Sequence, residues 1–440
     1  MMAAIKKLVK SLDWTIVIAI SILMTIGILF IYSSGVTSAG DIVSTEYAKQ
    51  VVWVVSGLAL LLASVMLDMK RISDYVPFIY AFFAASLVFT RFFGKVVNGS
   101  RSWLGIIGDY GIQPSEFMKI ATALMLARYL ENSLHEPSTF RRFVLSFAIV
   151  GLPMGLILLQ PDFGTALVFI PLYLAMAYVG GINRRYLLFF IVSGGIAIVM
   201  TIMPLWQRII VAKPSILLRI LYEPPYIYFT LLVIISTLAL SLLGYRFFKK
   251  NYYYWTAYVS MMFFIGLGAS IVGQRMLKDY QVMRLVVFLD PSVDPLGSGW
   301  NILQSITAIG SGGISGKGFL QGTQSHYRYL PQQSTDFIFS IISEELGFLG
   351  GIVIFSLFFY ILLRLVFSIR SIRSVSCTSF VAGIFGILLF HFTINAGMAM
   401  GVMPITGIPL LFLSYGGSSL WAICIGVGIS LGIGARKFDS

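Results

Sequence analysis

Apolar stretches of about 20 residues recur from residue 14 to residue 434, broken only by short polar segments. The hydrocarbon core of a bilayer is about 30 Å thick, and a helix of about 20 residues crosses it. Lipid offers no partner for free backbone N–H and C=O groups, so each crossing must satisfy its own. The runs therefore read as membrane helices near 14–33, 51–67, 76–93, 115–134, 143–159, 164–180, 186–204, 227–245, 253–273, 337–363, 379–399 and 406–434. Charged residues make up 11% of the chain, against about 25% in a soluble domain. The expected fold is all-α, a polytopic transmembrane bundle of about 12 spans. The last run opens with proline and glycine, so its start is expected to be re-entrant.

Basic residues orient the bundle. Lys6, Lys7 and Lys10 precede the first span. Lys70 with Arg71, Arg141 with Arg142, and Arg184 with Arg185 fall in alternate connections. Arg246, Lys249 and Lys250, then Arg364, Arg370 and Arg373, and finally Arg436 and Lys437 continue the pattern. Placing both termini in the cytoplasm puts every cluster there. The first span has no small-residue cleavage site and is read as retained.

That topology leaves segments 34–50, 94–114, 205–226, 274–336 and about 400–405 outside. They still carry Lys95, Arg101, Arg208, Lys213, Arg219, Arg275, Lys278, Arg284, Lys317 and Arg328. The topology rule does not need these cations; an anionic partner at the outer surface would account for them. The net charge of +13 is in part the cytoplasmic bias, so it does not argue for nucleic acid. Cys377 and Cys424 form no disulfide framework, and His135, His326 and His391 are too scattered for a zinc motif.

Asp336 ends the polar segment LPQQSTDFIF (330–339) just before an apolar run. A carboxylate at the lip of a membrane is costly and needs a partner or a task. Glu116 and Lys119, in QPSEFMK (113–119), sit three apart on one helix face. They read either as a structural ion pair or as a cation that binds an anion or tunes a carboxylate. Pro114 opens their helix, with Ser115 expected to help cap it.

In NGSRSW (98–103), Trp103 reads as an interface anchor or as a stacking platform, with Arg101 beside it. Asp162 in QPDFG (160–164) reads as a helix cap or as a ligand contact. The stretch GSGGISGKG (310–318) fails the P-loop and dinucleotide spacings. It remains a turn, or a backbone nest that with Lys317 touches a phosphate. Segment 274–289 suits a helix lying in the interface. At least one of Glu344 and Glu345 is expected to face a polar interior. MPITGIPLLFLSYGGSS (403–419), with Ser414 and Tyr415, breaks a helix and is expected to wall the same outer cavity.

Five ordered motifs, at 113–119, 160–167, 310–319, 330–339 and 403–419, closely resemble the SEDS family, which comprises RodA, FtsW and SpoVE. FLDP (288–291), DPLG (294–297) and GTQS (322–325) resemble the RodA branch more than the FtsW branch. The resemblance implies a peptidoglycan glycosyltransferase of the elongation machinery. Such an enzyme polymerises lipid II at the outer face of the cytoplasmic membrane and works with a class B penicillin-binding protein, other elongation-complex membrane proteins and membrane lipids. Asp336 matches the family's essential loop aspartate, Trp103 its outer-loop tryptophan, and Glu116 and Lys119 its acidic and basic pair. Against a ten-span family core, 226–273 reads as an inserted hairpin between an N-terminal part (1–225) and the large outer loop (274–336), with 337–440 forming the last helices. NGSRSW stands where NGARRW is more usual, and Leu411 where proline is common.

The chemistry implied is inverting glycosyl transfer with loss of undecaprenyl pyrophosphate. It needs a base, for which Asp336 is the candidate, and cations at the pyrophosphate, for which Lys119, Arg101 and Lys317 are the candidates. No dedicated metal site is visible, so Mg2+ or Mn2+ would be shared with the pyrophosphate oxygens. The alternatives are a lipid II flippase, a division-type or sporulation-type polymerase, and a non-catalytic scaffold. A flippase calls for polar groups at mid-membrane on several helices, whereas these residues gather at one edge.

Overall fold

A computed structural model describes residues 10–97, 99–107, 110–209, 223, 226–276, 279–297 and 299–436. Lys6, Lys7, Asn98, Lys213, Arg219, Lys278 and Lys437, used above, lie outside the described residues. The main helices are α1 (Trp14–Ser34), α2 (Glu46–Val65), α3 (Val76–Phe93), α4 (Pro114–Asn132), α5 (Thr139–Leu159), α6 (Phe163–Leu167), α7 (Phe169–Val179) and α8 (Arg184–Ile209). They continue as α9 (Tyr226–Phe248), α10 (Asn251–Met276), α11 (Asp279–Leu289), α12 (Trp300–Ser311), α13 (Thr323–His326), α14 (Ile338–Ser371), α15 (Val375–Ala399) and α16 (Gly417–Ala435). Among the described residues ten helices are long and apolar enough to cross a membrane. Helix α4 and the broken pair α6–α7 make up the expected twelve. Helix α4 is 19 residues long but carries Glu116, Lys119, Arg128 and Glu131. The protein is a multi-pass membrane protein.

The chain divides into two compact units, Met1–Asn183 with Gln304–Ser440, and Arg184–Leu303. In the second unit α10 packs against both α8 and α9, and α11 lies on α8. The Arg185 guanidinium sits 5.8 Å from the Tyr254 ring centre and 5.4 Å from that of Trp255, a cation–π arrangement.

The first unit is built around α4, α15 and α16. In α16, 78% of the apolar window is buried, against 17% in α3, so α16 is a core helix and α3 a peripheral one. Lipid tails are as apolar as leucine, and close backbone approach between membrane helices therefore depends on small residues. A Cβ on Gly428 would lie 2.3 Å from Leu61 O, and one on Gly432 would lie 2.4 Å from Val65 O. These two glycines, one turn apart, let α16 seat against α2.

Helix C-termini leave carbonyls without intrahelical partners. At one end of this unit, arginines take them. Arg142 donates to Leu130 O at 3.0 Å, Gly180 O at 2.7 Å and Gly181 O at 3.1 Å, and to Ser133 Oγ at 3.0 Å. Arg436 donates to Val65 O and Leu67 O, both at 2.9 Å. Cations at helix C-termini also offset the helix dipole.

The opposite end holds the long connections. Within the segment 94–114, expected from sequence to lie outside, the chain forms a small antiparallel meander: β1 (Lys95–Val97), β2 (Ser100–Ile107) and β3 (Tyr110–Ile112). Val97 pairs with Ser100 across a tight turn in which Gly99 has φ 80°, the geometry a two-residue hairpin demands. Helix α16 begins only at Gly417. Residues 403–416 before it are irregular, so the apolar run is broken ahead of its helix.

Candidate active site

Helix α4 starts with Pro114 at its first position and Gln113 as an extended N-cap residue. The Gln113 side chain does not cap the helix; it donates from Nε2 to Asp162 Oδ2 at 2.9 Å, while its N–H donates to Ser418 Oγ at 3.1 Å. Ser115 does not act as the expected cap: its hydroxyl is buried with no hydrogen-bond partner among the described residues.

Asp162 does cap its helix. Its carboxylate accepts from Thr165 N at 3.1 Å and Thr165 Oγ1 at 3.0 Å. Burial pushes the Asp162 carboxyl up from its ordinary range, against the pull of the two Thr165 bonds. Asp162 thus ties the 160–163 turn to the start of α4.

One turn into α4, Lys119 Nζ lies 2.7 Å from Glu116 Oε2, and both side chains are nearly sealed at 3% and 5% exposure. Lys119 Nζ also lies 3.4 Å from His391 Nε2 on α15. His391 Nδ1 lies 2.9 Å from Pro409 O. A carbonyl can only accept, so Nδ1 carries the proton and Nε2 offers its lone pair to the ammonium. His391 had no place in the sequence reading, which weighed the histidines only as zinc ligands.

Asp336 is half-buried, two residues before α14. Its loop is gripped through three successive main-chain oxygens. Ser334 O accepts from Tyr415 N at 2.8 Å, Thr335 O from Ser414 Oγ at 2.6 Å, and Asp336 O from Asn395 Nδ2 at 2.8 Å. Ser414 Oγ also accepts from Leu410 N at 2.9 Å. Ser414, in the segment expected from sequence to wall the outer cavity, is buried and straps the loop. Tyr415 contributes its N–H to the same strap.

Gly407 (φ 68°) runs beneath the carboxylate, where an added Cβ would lie 3.7 Å from Asp336 Oδ2. Gln332 (φ 51°) and the buried Phe412 (φ 70°) hold left-handed backbone on both sides of this contact. Such conformations cost about 1–2 kcal/mol in non-glycine residues and persist only where the surroundings enforce them.

Trp103 and Arg101 lie on β2, opposite Lys95 and Val96. The Trp103 ring rests over Gly111, whose Cβ position is 3.0 Å from it. Arg101 is exposed; its N–H donates to Gln160 O at 3.3 Å and its Nη1 to Phe92 O at 3.4 Å. The meander is thereby tied to the Asp162 turn.

Lys317 has a different place from the one the sequence suggested. It pairs with the fully buried Glu344 at 2.7 Å and donates to Thr323 Oγ1 at 2.7 Å. The nest reading of the glycine stretch fails here as well. The N–H groups of Gly316, Lys317 and Gly318 donate to Gly312 O, Glu344 O and Glu345 O. The stretch docks on a break in α14 at Gly347 (φ 65°).

Both Glu344 and Glu345 face this polar interior. Glu344 Oε1 also accepts from Thr323 N at 2.8 Å and Gln324 N at 2.9 Å, capping α13. Glu345 accepts from Ser33 Oγ at 2.5 Å and from Leu320 N at 3.0 Å, with His326 Nε2 at 3.5 Å. Among the described residues no three His, Cys, Asp or Glu side chains gather closely enough to hold a metal ion.

Comparisons with known proteins agree with this architecture. A family profile described as "Cell cycle protein" (FtsW/RodA/SpoVE) matches residues 13–213 and 215–437. The chain is 46% identical to peptidoglycan glycosyltransferase RodA of Treponema pallidum (strain Nichols), over 98% of this chain and 99% of that one. A chain from a solved peptidoglycan synthase complex, described as coordinating polymerization and crosslinking, superposes with TM-score 0.66 at 25% identity, covering 98% of this chain and 99% of that one. The rod shape determining protein RodA of Thermus thermophilus shares the fold at TM-score 0.59 and 22% identity, covering 98% of each chain. With a profile spanning nearly its whole length and a relative this similar, the chain belongs to the FtsW/RodA/SpoVE family.

Proposed function

We propose that this chain is a peptidoglycan glycosyltransferase of the RodA type. It polymerises lipid II into glycan strands at the outer face of the cytoplasmic membrane during cell elongation. The observation that carries the reading is the half-exposed Asp336 carboxylate, set over Gly407 by three gripped carbonyls. A base must be held in place and still be reachable, and Asp336 is both.

In the reaction, Asp336 takes the proton of the acceptor sugar hydroxyl. The freed oxygen attacks the anomeric carbon of the donor from the face opposite the pyrophosphate. The new glycosidic bond forms as the bond from that carbon to the pyrophosphate oxygen breaks. The configuration inverts, and the electron pair leaves with undecaprenyl pyrophosphate. A positioned base contributes about 10²–10⁴-fold.

We assign the departing diphosphate to the exposed Arg101, which is tied through Gln160 O to the Asp162 turn. Trp103 beside it offers a face to a sugar. Glu116 and Lys119, sealed as an ion pair, act from behind the site. With no three-ligand cluster among the described residues, Mg2+ or Mn2+ would be held chiefly by the diphosphate itself. A class B penicillin-binding protein is the partner this reading calls for; the solved synthase complex with the same fold supports it.

The test is polymerisation of purified lipid II by the purified protein, with and without that partner. Asp336→Asn keeps the shape and removes the base, so it should yield no polymer while still binding the partner. Normal polymer from Asp336→Asn would overturn the assignment.

A further inference from the structure

His391 and Asn395 lie one turn apart on α15, both essentially without solvent exposure at 1% and 0%. Polar side chains inside membrane helices are costly, and a pair on one face calls for a function. Each spans two elements. Asn395 Nδ2 donates to Ile408 O and to Asp336 O, both at 2.8 Å. His391 Nδ1 donates to Pro409 O at 2.9 Å, and its Nε2 faces Lys119 Nζ at 3.4 Å. The two side chains thus hold adjacent carbonyls of the broken segment, 408 and 409. Their other contacts reach the base loop on one side and the buried ion pair on the other.

The orientation of the Asn395 amide is decided by its surroundings: a flipped amide would set Oδ1 against two carbonyl oxygens. As it stands, Oδ1 is buried with no hydrogen-bond partner among the described residues. Leaving a buried acceptor unsatisfied costs about 1–3 kcal/mol. Asn395 thus leaves its own acceptor unpaired while it serves two carbonyls, one of them on the base loop.

We infer that His391 and Asn395 are positioning residues that set Asp336 and the Glu116–Lys119 pair in one register against the 408–409 backbone. This rests on the proposed role of Asp336. Removing either contact shifts a catalytic group without touching substrate. Misplacement of about 1 Å can cost on the order of 10²-fold in rate, and it falls on kcat rather than on KM.

The histidine contacts separate by substitution. His391→Asn keeps a donor where Nδ1 stood and loses the Lys119 contact. His391→Gln keeps an acceptor where Nε2 stood and loses the Pro409 bond. In lipid II polymerisation each should lower kcat about 10-fold or more at near-constant KM, because each breaks one side of the bridge. Asn395→Asp, which removes both donors, should lower kcat about 10²-fold. If it does not yield monodisperse protein in detergent, Asn395→Ser, with one hydroxyl hydrogen, takes its place, and its kcat should fall less.

Unreduced kcat in either His391 variant, or Asn395 variants that alter melting temperature but not kcat, would refute the inference. Asp336→Asn runs alongside. Polymer from that variant would count against the base assignment itself, a separate failure readable whatever the His391 pair does.

Discussion

Glu344→Gln tests how the 312–330 connection is held. The carboxylate is fully buried, and its Oε1 accepts from Lys317 Nζ at 2.7 Å, Thr323 N at 2.8 Å, Gln324 N at 2.9 Å and Thr323 Oγ1 at 3.1 Å. Its Oε2 faces Ser325 N at 3.3 Å. A glutamine has the same outline but no charge, and its amide N–H2 must confront one of these donor sets. Charge-assisted hydrogen bonds are about twice as strong as neutral ones, and bonds to charged groups are worth about 1.5–3 kcal/mol. Halving four of them gives a loss of about 3–6 kcal/mol, which overlaps the range of about 3–5 kcal/mol seen when one partner of a buried ion pair is removed.

The loss should appear as local opening of 312–330, because the donors are local while the bundle is held elsewhere. Hydrogen exchange in detergent reads it directly. At about 1.4 kcal/mol per decade, amide protection at Thr323 and Gln324 should fall by about two to four decades. Lys317→Met should cost less, since the backbone donors to Glu344 remain. Unchanged protection at these two amides in Glu344→Gln would refute the account of how this connection is anchored.

Two further substitutions probe the site floor and the opposite end. Gly407→Ala forces a Cβ into a left-handed backbone beneath Asp336; at about 1–2 kcal/mol of strain it should lower the melting temperature in detergent and, by moving the floor under Asp336, slow the initial polymerisation rate. Arg142→Met strips donors from Leu130 O, Gly180 O, Gly181 O and Ser133 Oγ. It should destabilise by about 3 kcal/mol or more, lowering the melting temperature in detergent while leaving the rate per folded molecule unchanged.

Much of this architecture was legible because a membrane admits few solutions. Apolar run length gave the spans, and two of the basic residues used for orientation, Arg142 and Arg436, meet helix termini of the first unit. Asp336, Glu116 and Lys119 could be singled out because intramembrane charge is rare. The meander at 95–112 was missed although Asn98-Gly99 is a hairpin signal, since its short strands lie between two long helices. His391 and Asn395 carried a readable mark as well, two polar residues four apart in an otherwise apolar run. Testing histidines only against metal spacings overlooked it. The reach of Lys317 to Glu344 could not be read at all. It depends on the break at Gly347 turning 310–318 back onto α14, a contact across 27 residues that no local pattern encodes.

The grips on residues 334–336 fall on main-chain oxygens, atoms every amino acid possesses. Side chains there can therefore be exchanged without untying the loop. A cysteine engineered at Ser334 could carry a small fluorophore or spin label two residues from the base, reporting whether the loop lifts when substrate or a partner arrives.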